Sequence, residues 1–153
     1  MADPRELSIS RLIKASPETV WKIYTQRTGE WFCPRPWTTP VVDWDLRVGG
    51  RANIELASPE GERHPHSGVF LEVVPGRKLV STSAFTEGWV PQSGDLDFVR
   101  IDTFEPEAGG TRYTSIARHW DEKTAAKHRD MGFEQGWGAV ADQLAALAEG
   151  DTQ

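Results

Sequence analysis

The sequence has little cysteine, fewer basic than acidic residues and no long hydrophobic run, and each shortage excludes a class of protein. Its single cysteine, Cys33, rules out an internal disulfide and fits a cytoplasmic protein. Lysine and arginine number 17 against 23 acidic residues, and a formal net charge of -6 disfavours nucleic acid and anionic membranes as partners. The charged segment 1–10 lacks the apolar stretch of a signal peptide, and no segment is apolar enough to insert into a membrane.

Motifs for covalent, phosphate and metal chemistry are also missing. The sequence has no Gly-x-Ser-x-Gly elbow, and no histidine lies near Cys33 to activate its thiol. Gly49 and Gly50 lie between predicted strands, so they do not form a phosphate loop in front of a helix. His64 and His66 could present two imidazoles on one side of a strand, but no further ligand completes a zinc spacing. We therefore predict neither a metal nor a cofactor.

Tryptophan is the residue in excess, with seven copies in 153 residues. A chain of this length is predicted to form one domain over residues 1–153, large enough to bury a sizeable core. Tryptophan buries a large apolar area, so a small domain that contains seven has either a generous core or an aromatic-lined pocket. Composition does not separate these two interpretations.

The longest ordered pattern is a predicted helix from Asp121 to about Glu149. Five apolar residues recur at steps of four and three along it and form one stripe: Phe133, Trp137, Val140, Leu144 and Leu147. Asp121 is a suitable N-cap, and Gly150 a suitable stop. Three internal glycines, at 132, 136 and 138, interrupt this pattern. They indicate close packing against a neighbouring element or, alternatively, room for a bound molecule beside the aromatic residues.

The rest of the chain is predicted to be mostly strands. After a first strand over 7–13, Ser16 and Pro17 mark the start of a short helix, and at most one further turn follows near Trp31. Alternating apolar residues and Gly/Pro turns then predict six strands: 42–46, 52–56, 68–73, 78–85, 96–104 and 111–119. The predicted fold is α+β, with an antiparallel meander curved around a long C-terminal helix. Such an arrangement leaves an apolar cavity open at the loops.

Five fragments in order along the chain resemble a known family: 15–21 (ASPETVW), 45–50 (DLRVGG), 68–80 (GVFLEVVPGRKLV), 109–114 (GGTRYT) and 131–137 (MGFEQGW). The chain resembles the START-like helix-grip superfamily of polyketide cyclases and Bet v-like allergens. More narrowly, it is similar to bacterial single-domain homologues of the heat-shock-protein ATPase activator's C-terminal domain. The resemblance implies a helix-grip fold with a cavity, but no particular reaction. The eukaryotic activator has an N-terminal region that this chain lacks, which disfavours a co-chaperone role.

The last predicted strand carries one set of candidate catalytic residues. If its alternating residues Tyr113, Ser115 and His119 point inward, they supply a phenol, a hydroxyl and an imidazole to the cavity. Tyr113 and His119 are therefore the candidate acid/base pair. The alternative is that His119 lies at the rim and hydrogen-bonds to backbone.

The aromatic residues supply most of the predicted ligand-binding set. The full set is Trp31, Trp37, Phe70, Phe85, Trp89, Tyr113, Ser115, His119, Phe133 and Trp137. Trp21 and Trp44 are assigned to the core. Charged residues of the last two strands are assigned to cross-strand ion pairs on the outer face: Asp97, Arg100, Asp102, Arg112 and Arg118.

The sequence is compatible with three functions. The first is a cytoplasmic protein that binds a small hydrophobic molecule in an internal cavity, without a cofactor. The second is a non-redox cyclase or lyase that uses the same cavity, and the third is an interaction module related to chaperone activation. A chaperone ATPase is a disfavoured but open partner, and a homodimer is compatible with the sequence.

Overall fold

The computed structural model describes residues 3–94 and 96–151. The helices are α1 (Pro17–Gln26), α2 (Glu122–Asp130) and α3 (Phe133–Asp151), and a 3₁₀ turn comprises Thr28–Glu30. The strands are β1 (Glu6–Ile13), β2 (Thr38–Trp44), β3 (Ala52–Ala57), β4 (Arg63–His66), β5 (Val69–Val74), β6 (Lys78–Thr82), β7 (Phe85–Thr86), β8 (Val90–Pro91), β9 (Phe98–Glu107) and β10 (Gly110–His119). This arrangement confirms the predicted α+β class.

All strand pairs are antiparallel, and the main sheet has the order β1-β10-β9-β6-β5. A second sheet has the order β2-β3-β4, and β7 and β8 form a small hairpin. A bridge between Arg51 and Val69 and a hydrogen bond from Ala52 N to Gly68 O (2.9 Å) join the second sheet to the β5 edge. The meander of the six predicted strands is therefore confirmed, and β1 adds to it by pairing with β10. The sequence pattern missed β4 and the β7–β8 hairpin.

Helix α1 forms where its capping residues predict it. The Ser16 hydroxyl accepts a hydrogen bond from Thr19 N (3.2 Å), and Pro17 occupies the first turn, where a missing N–H costs nothing. Its buried residues Val20, Ile23 and Tyr24 face the main sheet's inner side. The helix thereby covers one end of the sheet, as predicted.

The long C-terminal helix is confirmed as α3, but its predicted start at Asp121 is wrong, because the chain breaks at Gly132 and residues 122–130 form a separate helix. Gly132 has φ +94°, a left-handed backbone that side chains other than glycine rarely adopt, so α2 ends and α3 starts anew. The N-cap is confirmed: the Asp121 carboxylate accepts from Thr124 N at 2.7 Å. The break allows α2 to fold back, so that the His128 ring lies 5.1 Å from the Phe133 ring.

The two glycines inside α3 do not serve close packing. A Cβ atom added to Gly136 or Gly138 would meet no neighbouring atom of the described chain within 4 Å. The expectation of a closely approaching element is therefore wrong at both positions, since the space beside them is open.

The core lies between α1, α3 and the inner face of the main sheet. The second half of α3 is fully packed there, with Leu144, Ala145 and Ala148 shielded from solvent. Trp21 and Trp44 pack against this core and are partly buried. No described helix is long and apolar enough to cross a membrane.

Candidate functional site

A buried polar cluster joins α1 to the two central strands. On β9, Arg100 and Asp102 point to the inner face, where the Arg100 Nε donates to Asp102 Oδ2 at 3.0 Å. Tyr24 donates to the same carboxylate oxygen, and Tyr113 donates to Oδ1 at 3.3 Å. Asp102 is only 1% exposed, so these donors replace the water that its charge requires. The assignment of Arg100 and Asp102 to the outer face is thus wrong.

The outer-face assignment is correct for two of the other charged residues. Arg112 pairs with Glu107 and Arg118 with Glu6, both at 2.8 Å. Asp97 instead accepts hydrogen bonds from Ser83 Oγ (2.9 Å) and Gly94 N (2.8 Å) within the loop region.

Charge in the cluster resides on Arg100 and Asp102 rather than on the phenols. Burial raises the pKa of Tyr24 well above its usual value, and burial together with the Asp102 charge raises that of Tyr113. Burial alone would lower the pKa of Arg100, but the nearby Asp102 outweighs it and the net pKa is raised. Arg100 is therefore a permanent cation.

Two aromatic rings flank the guanidinium of Arg100. Its Cζ lies 5.1 Å from the Phe32 ring centre and 4.5 Å from that of Trp137. Distances of this size give cation–π attraction, which holds the charge in a fixed place. The Arg100 side chain keeps 17% of its surface exposed, so it is reachable from solvent.

A histidine pair lies next to Trp137, and its hydrogen bonds fix the positions of the protons. The His119 Nδ1 lies 2.8 Å from the Arg5 carbonyl oxygen, which can only accept, so Nδ1 carries the proton. In the neutral ring the His119 Nε2 is then an acceptor, and it lies 2.9 Å from His128 Nδ1. His128 Nδ1 must therefore donate, which leaves the Nε2 of neutral His128 with a lone pair.

His128 resists protonation. Burial, with smaller contributions from His119 and the positive charge of Arg100, lowers its pKa to about 4. At neutral pH the His128 ring is therefore uncharged, so that one of its two nitrogens carries a lone pair.

A pocket of about 420 Å³ opens beside both groups and is called the Arg100 pocket below. Strands β3 and β4 form one wall, β6 and β9 the floor, and α2 and α3 the opposite wall. Its apolar and aromatic lining includes Phe32, Ala52, Ile54, Phe98 and Trp137. The polar residues are Arg100 and His128, then Ser81, Thr82 and Ser83 beside the floor, and His66 and Ser67 at the β4 side. Apolar and aromatic walls with convergent polar groups are typical of small-molecule sites.

The predicted ligand-binding residues do not form one site. Of the ten, Trp137 lines the Arg100 pocket, while Trp31 and Trp37 line a separate pocket of about 430 Å³ beside Gln143. Phe85 and Trp89 contact each other at 5.9 Å on the β7–β8 hairpin, where Trp89 is 50% exposed. The other five are buried: Phe70, Tyr113, Ser115, His119 and Phe133.

The inward orientation of the last strand is confirmed, because Tyr113, Ser115 and His119 are all buried. Tyr113 is hydrogen-bonded to Asp102, and both ring nitrogens of His119 have protein partners. His119 is also bonded to backbone, as the alternative interpretation expected, although it is buried rather than at the rim. The Ser115 hydroxyl is buried without a hydrogen-bond partner. The ligand-binding roles of these residues stay predictions.

Of the residues that line the Arg100 pocket, the predicted set contained only Trp137; the aromatic, cationic and imidazole side chains that it missed include Phe32, Phe98, Arg100 and His128. The inward orientation of two β9 residues, Arg100 and Asp102, was predictable from the sequence, because the turn near Gly109 sets the register of the β9–β10 hairpin. Counting back from that turn pairs Asp102 with Ser115 and Arg100 with Ala117, which places both charges on the inner face. Among the described residues, no group of three His, Cys, Asp or Glu side chains lies close enough to hold a metal ion.

Comparison with known proteins agrees with this architecture. A protein from Nitrosomonas europaea, known from a crystal structure, is 31% identical in sequence to this chain, with a TM-score of 0.93 over 99% of each chain. A Mycobacterium smegmatis protein is 25% identical, with a TM-score of 0.78 over 95% of this chain and 91% of the other. An Arthrobacter aurescens protein, at 22% identity and a TM-score of 0.82 over 97% and 89% of the two chains, shares the fold.

A search of curated proteins found no match. The profile of the family described as "Activator of Hsp90 ATPase homolog 1-like protein" matches residues 14–149, nearly the whole length of the fold. The chain therefore belongs to the Activator of Hsp90 ATPase homolog 1-like family.

Proposed function

We propose that this protein binds a small hydrophobic molecule in the Arg100 pocket. The observation that supports it is the pocket itself, about 420 Å³, with aromatic side chains from β9, α3 and the loop before β2. Volumes of roughly 300–1,000 Å³ accommodate drug-sized ligands. Gly136, next to Trp137 on α3, also borders open space, since it lines a smaller pocket that shares Phe32, Arg100 and Trp137 with this one.

Binding is favoured over acid/base catalysis by the state of the imidazoles. His119 has both nitrogens engaged by protein groups, so it has no free nitrogen for a substrate. His128 has a free lone pair, but its pKa of about 4 makes it a weak base near neutral pH. Tyr113 is a weak acid, because burial raises its pKa further. The groups are therefore suited to orienting a ligand.

The test fills the pocket and measures binding of a neutral probe, N-phenyl-1-naphthylamine, by its fluorescence. Ala52→Trp adds an indole at the β3 wall, and Met131→Trp adds the same group at a position that is 65% exposed. We expect wild type and Met131→Trp to bind with similar affinity, and Ala52→Trp to lose most of the signal. Absence of binding to wild type, or equal binding to both variants, would contradict the proposal.

Unfolding by urea would show whether Ala52→Trp is folded before its binding is interpreted. If it is not folded, Ile54→Phe on the same strand is the second variant, since Ile54 also lines the pocket. The same loss of signal is expected from it.

A further inference from the structure

Arg100 has one ion-pair partner in residues 3–94 and 96–151, Asp102, to which its Nε donates. The Tyr113 side chain is also within hydrogen-bonding reach of the guanidinium and contributes to its raised pKa. Asp102 lies behind it, nearly without exposure, and also accepts from Tyr24 and Tyr113. The far end of the guanidinium, which carries four more N–H groups, belongs to a side chain that lines the pocket.

His128 presents the complementary group. The proton positions derived above leave its Nε2 as an acceptor, and no described side chain or backbone group donates to it. Nor is Nε2 among the buried polar atoms that lack a partner, which in the described chain are Trp31 Nε1 and Ser115 Oγ. Nε2 is therefore accessible, and its ring lines the pocket.

Trp137 connects the two polar groups. Its ring centre lies 4.5 Å from the Arg100 Cζ, 5.7 Å from the His128 ring and 5.8 Å from the Phe98 ring. A ligand that reaches both polar groups must therefore lie along an aromatic wall. Flat, conjugated molecules fit such a wall best, because they stack without losing internal freedom.

We propose that the ligand is a planar hydroxy acid, whose carboxylate pairs with Arg100 and whose hydroxyl donates to His128 Nε2. This inference rests on the proposed function and specifies its substrate class. A chain with net charge -6 attracts no anion in general, so selection of an acid requires a local cation such as Arg100. Guanidinium groups recognise carboxylates through two parallel hydrogen bonds, and the terminal nitrogens provide such a pair.

The test compares three fluorescent probes of one shape: 6-hydroxy-2-naphthoic acid, its methyl ester, and 2-naphthoic acid. We expect the hydroxy acid to bind wild type about tenfold more tightly than the ester, as a charge-assisted contact is lost in the ester. We expect a smaller difference, of about threefold, between the hydroxy acid and 2-naphthoic acid.

Two variants assign these preferences to residues. Arg100→Met combined with Asp102→Asn removes both charges together, so that no buried carboxylate is left unpaired. The acid and the ester should then bind equally, with the ester's affinity retained. His128→Asn keeps an amide near the position of Nδ1 but removes Nε2. It should abolish the effect of the hydroxyl and leave the acid preference intact.

The outcomes separate this inference from the proposed function. Equal binding of acid and ester to wild type overturns the inference while ligand binding stands. An acid preference that persists in the double variant overturns the role of Arg100, and a hydroxyl effect that persists in His128→Asn overturns that of His128. If none of the probes binds, or all bind Ala52→Trp as well as wild type, the proposed function itself is contradicted.

Discussion

The two halves of α3 differ in how completely they are packed. In the second half, Leu144, Ala145 and Ala148 have no exposed surface and fit between α1 and the main sheet. In the first half, Gly136 and Gly138 face open space, and Trp137 forms the wall of a pocket. One helix therefore completes the core at one end and borders a pocket at the other.

The difference shows how a small domain can hold a pocket without losing its stability. The apolar contacts that stabilise the fold are concentrated away from the pocket, whose floor is polar and held by the Arg100–Asp102 pair. A polar floor held by hydrogen bonds, together with aromatic walls, keeps the volume open. The following predictions test whether the packed core and the pocket are separate in this way.

The largest loss of stability is expected when only one member of the Arg100–Asp102 pair is replaced. Arg100→Met leaves the Asp102 carboxylate buried without its cationic partner, and such changes cost about 3–5 kcal/mol. We therefore expect the free energy of unfolding, measured with urea, to fall by about 4 kcal/mol. Adding Asp102→Asn should recover most of this loss. If the single variant is as stable as the double one, the buried carboxylate does not need Arg100.

A slightly smaller effect is expected from the packed half of α3. Leu144→Ala removes three carbon atoms from a fully buried position, where neighbouring groups relax only partly into the space. The free energy of unfolding should fall by about 3 kcal/mol, while affinity for N-phenyl-1-naphthylamine in the folded variant stays within about twofold. A large change in affinity would show that the two halves are coupled.

Acid should weaken the pocket end through His128. Its folded-state pKa of about 4 lies below the usual value of 6.5, so the unfolded chain takes up the proton first. Stability from this group is complete above about pH 6.5 and is lost as the pH falls toward 4, by on the order of 3 kcal/mol at most. The groups facing the ring are His119, which is hydrogen-bonded to it, and the cationic Arg100.

This pH effect is measured as a difference, because carboxylates also take up protons on acid unfolding. Urea unfolding of wild type and His128→Asn between about pH 7.5 and about pH 4.5 isolates the histidine's share. The variant should lose less stability than wild type over that range. Parallel curves would contradict the assignment.

The sequence predicted those parts of the fold that depend on local patterns. The Ser16 and Asp121 caps, the position of α1 and the alternation on β10 all follow from short-range chemistry, and the structure confirms them. The short strand β4 has no apolar alternation, so its pairing with β3 depends on the neighbouring strand rather than on its own residues.

The candidate site was less predictable, because its residues break the usual patterns. Arg100 and Asp102 are charges on an inner face, and a rule that places charge outside assigns them wrongly. His128 reaches the pocket only because the chain turns at Gly132, and a continuous helical period does not reveal that turn. Aromatic residues were a poor guide for the opposite reason, since most of them serve the core wherever they lie.

The smallest predicted changes in the free energy of unfolding concern two glycines, Gly132 and Gly136, that occupy similar places in the helical sequence pattern. Gly136 lies inside α3, and an alanine methyl group there would meet no described atom within 4 Å, so Gly136→Ala should raise the free energy of unfolding by about 1 kcal/mol. Gly132 has φ +94°, which strains any other residue, so Gly132→Ala should lower it by about 1 kcal/mol or more. The urea midpoints of these two variants should therefore shift in opposite directions from wild type. Destabilisation by both would mean that the space beside Gly136 is filled in solution, and the packing difference within α3 would no longer hold.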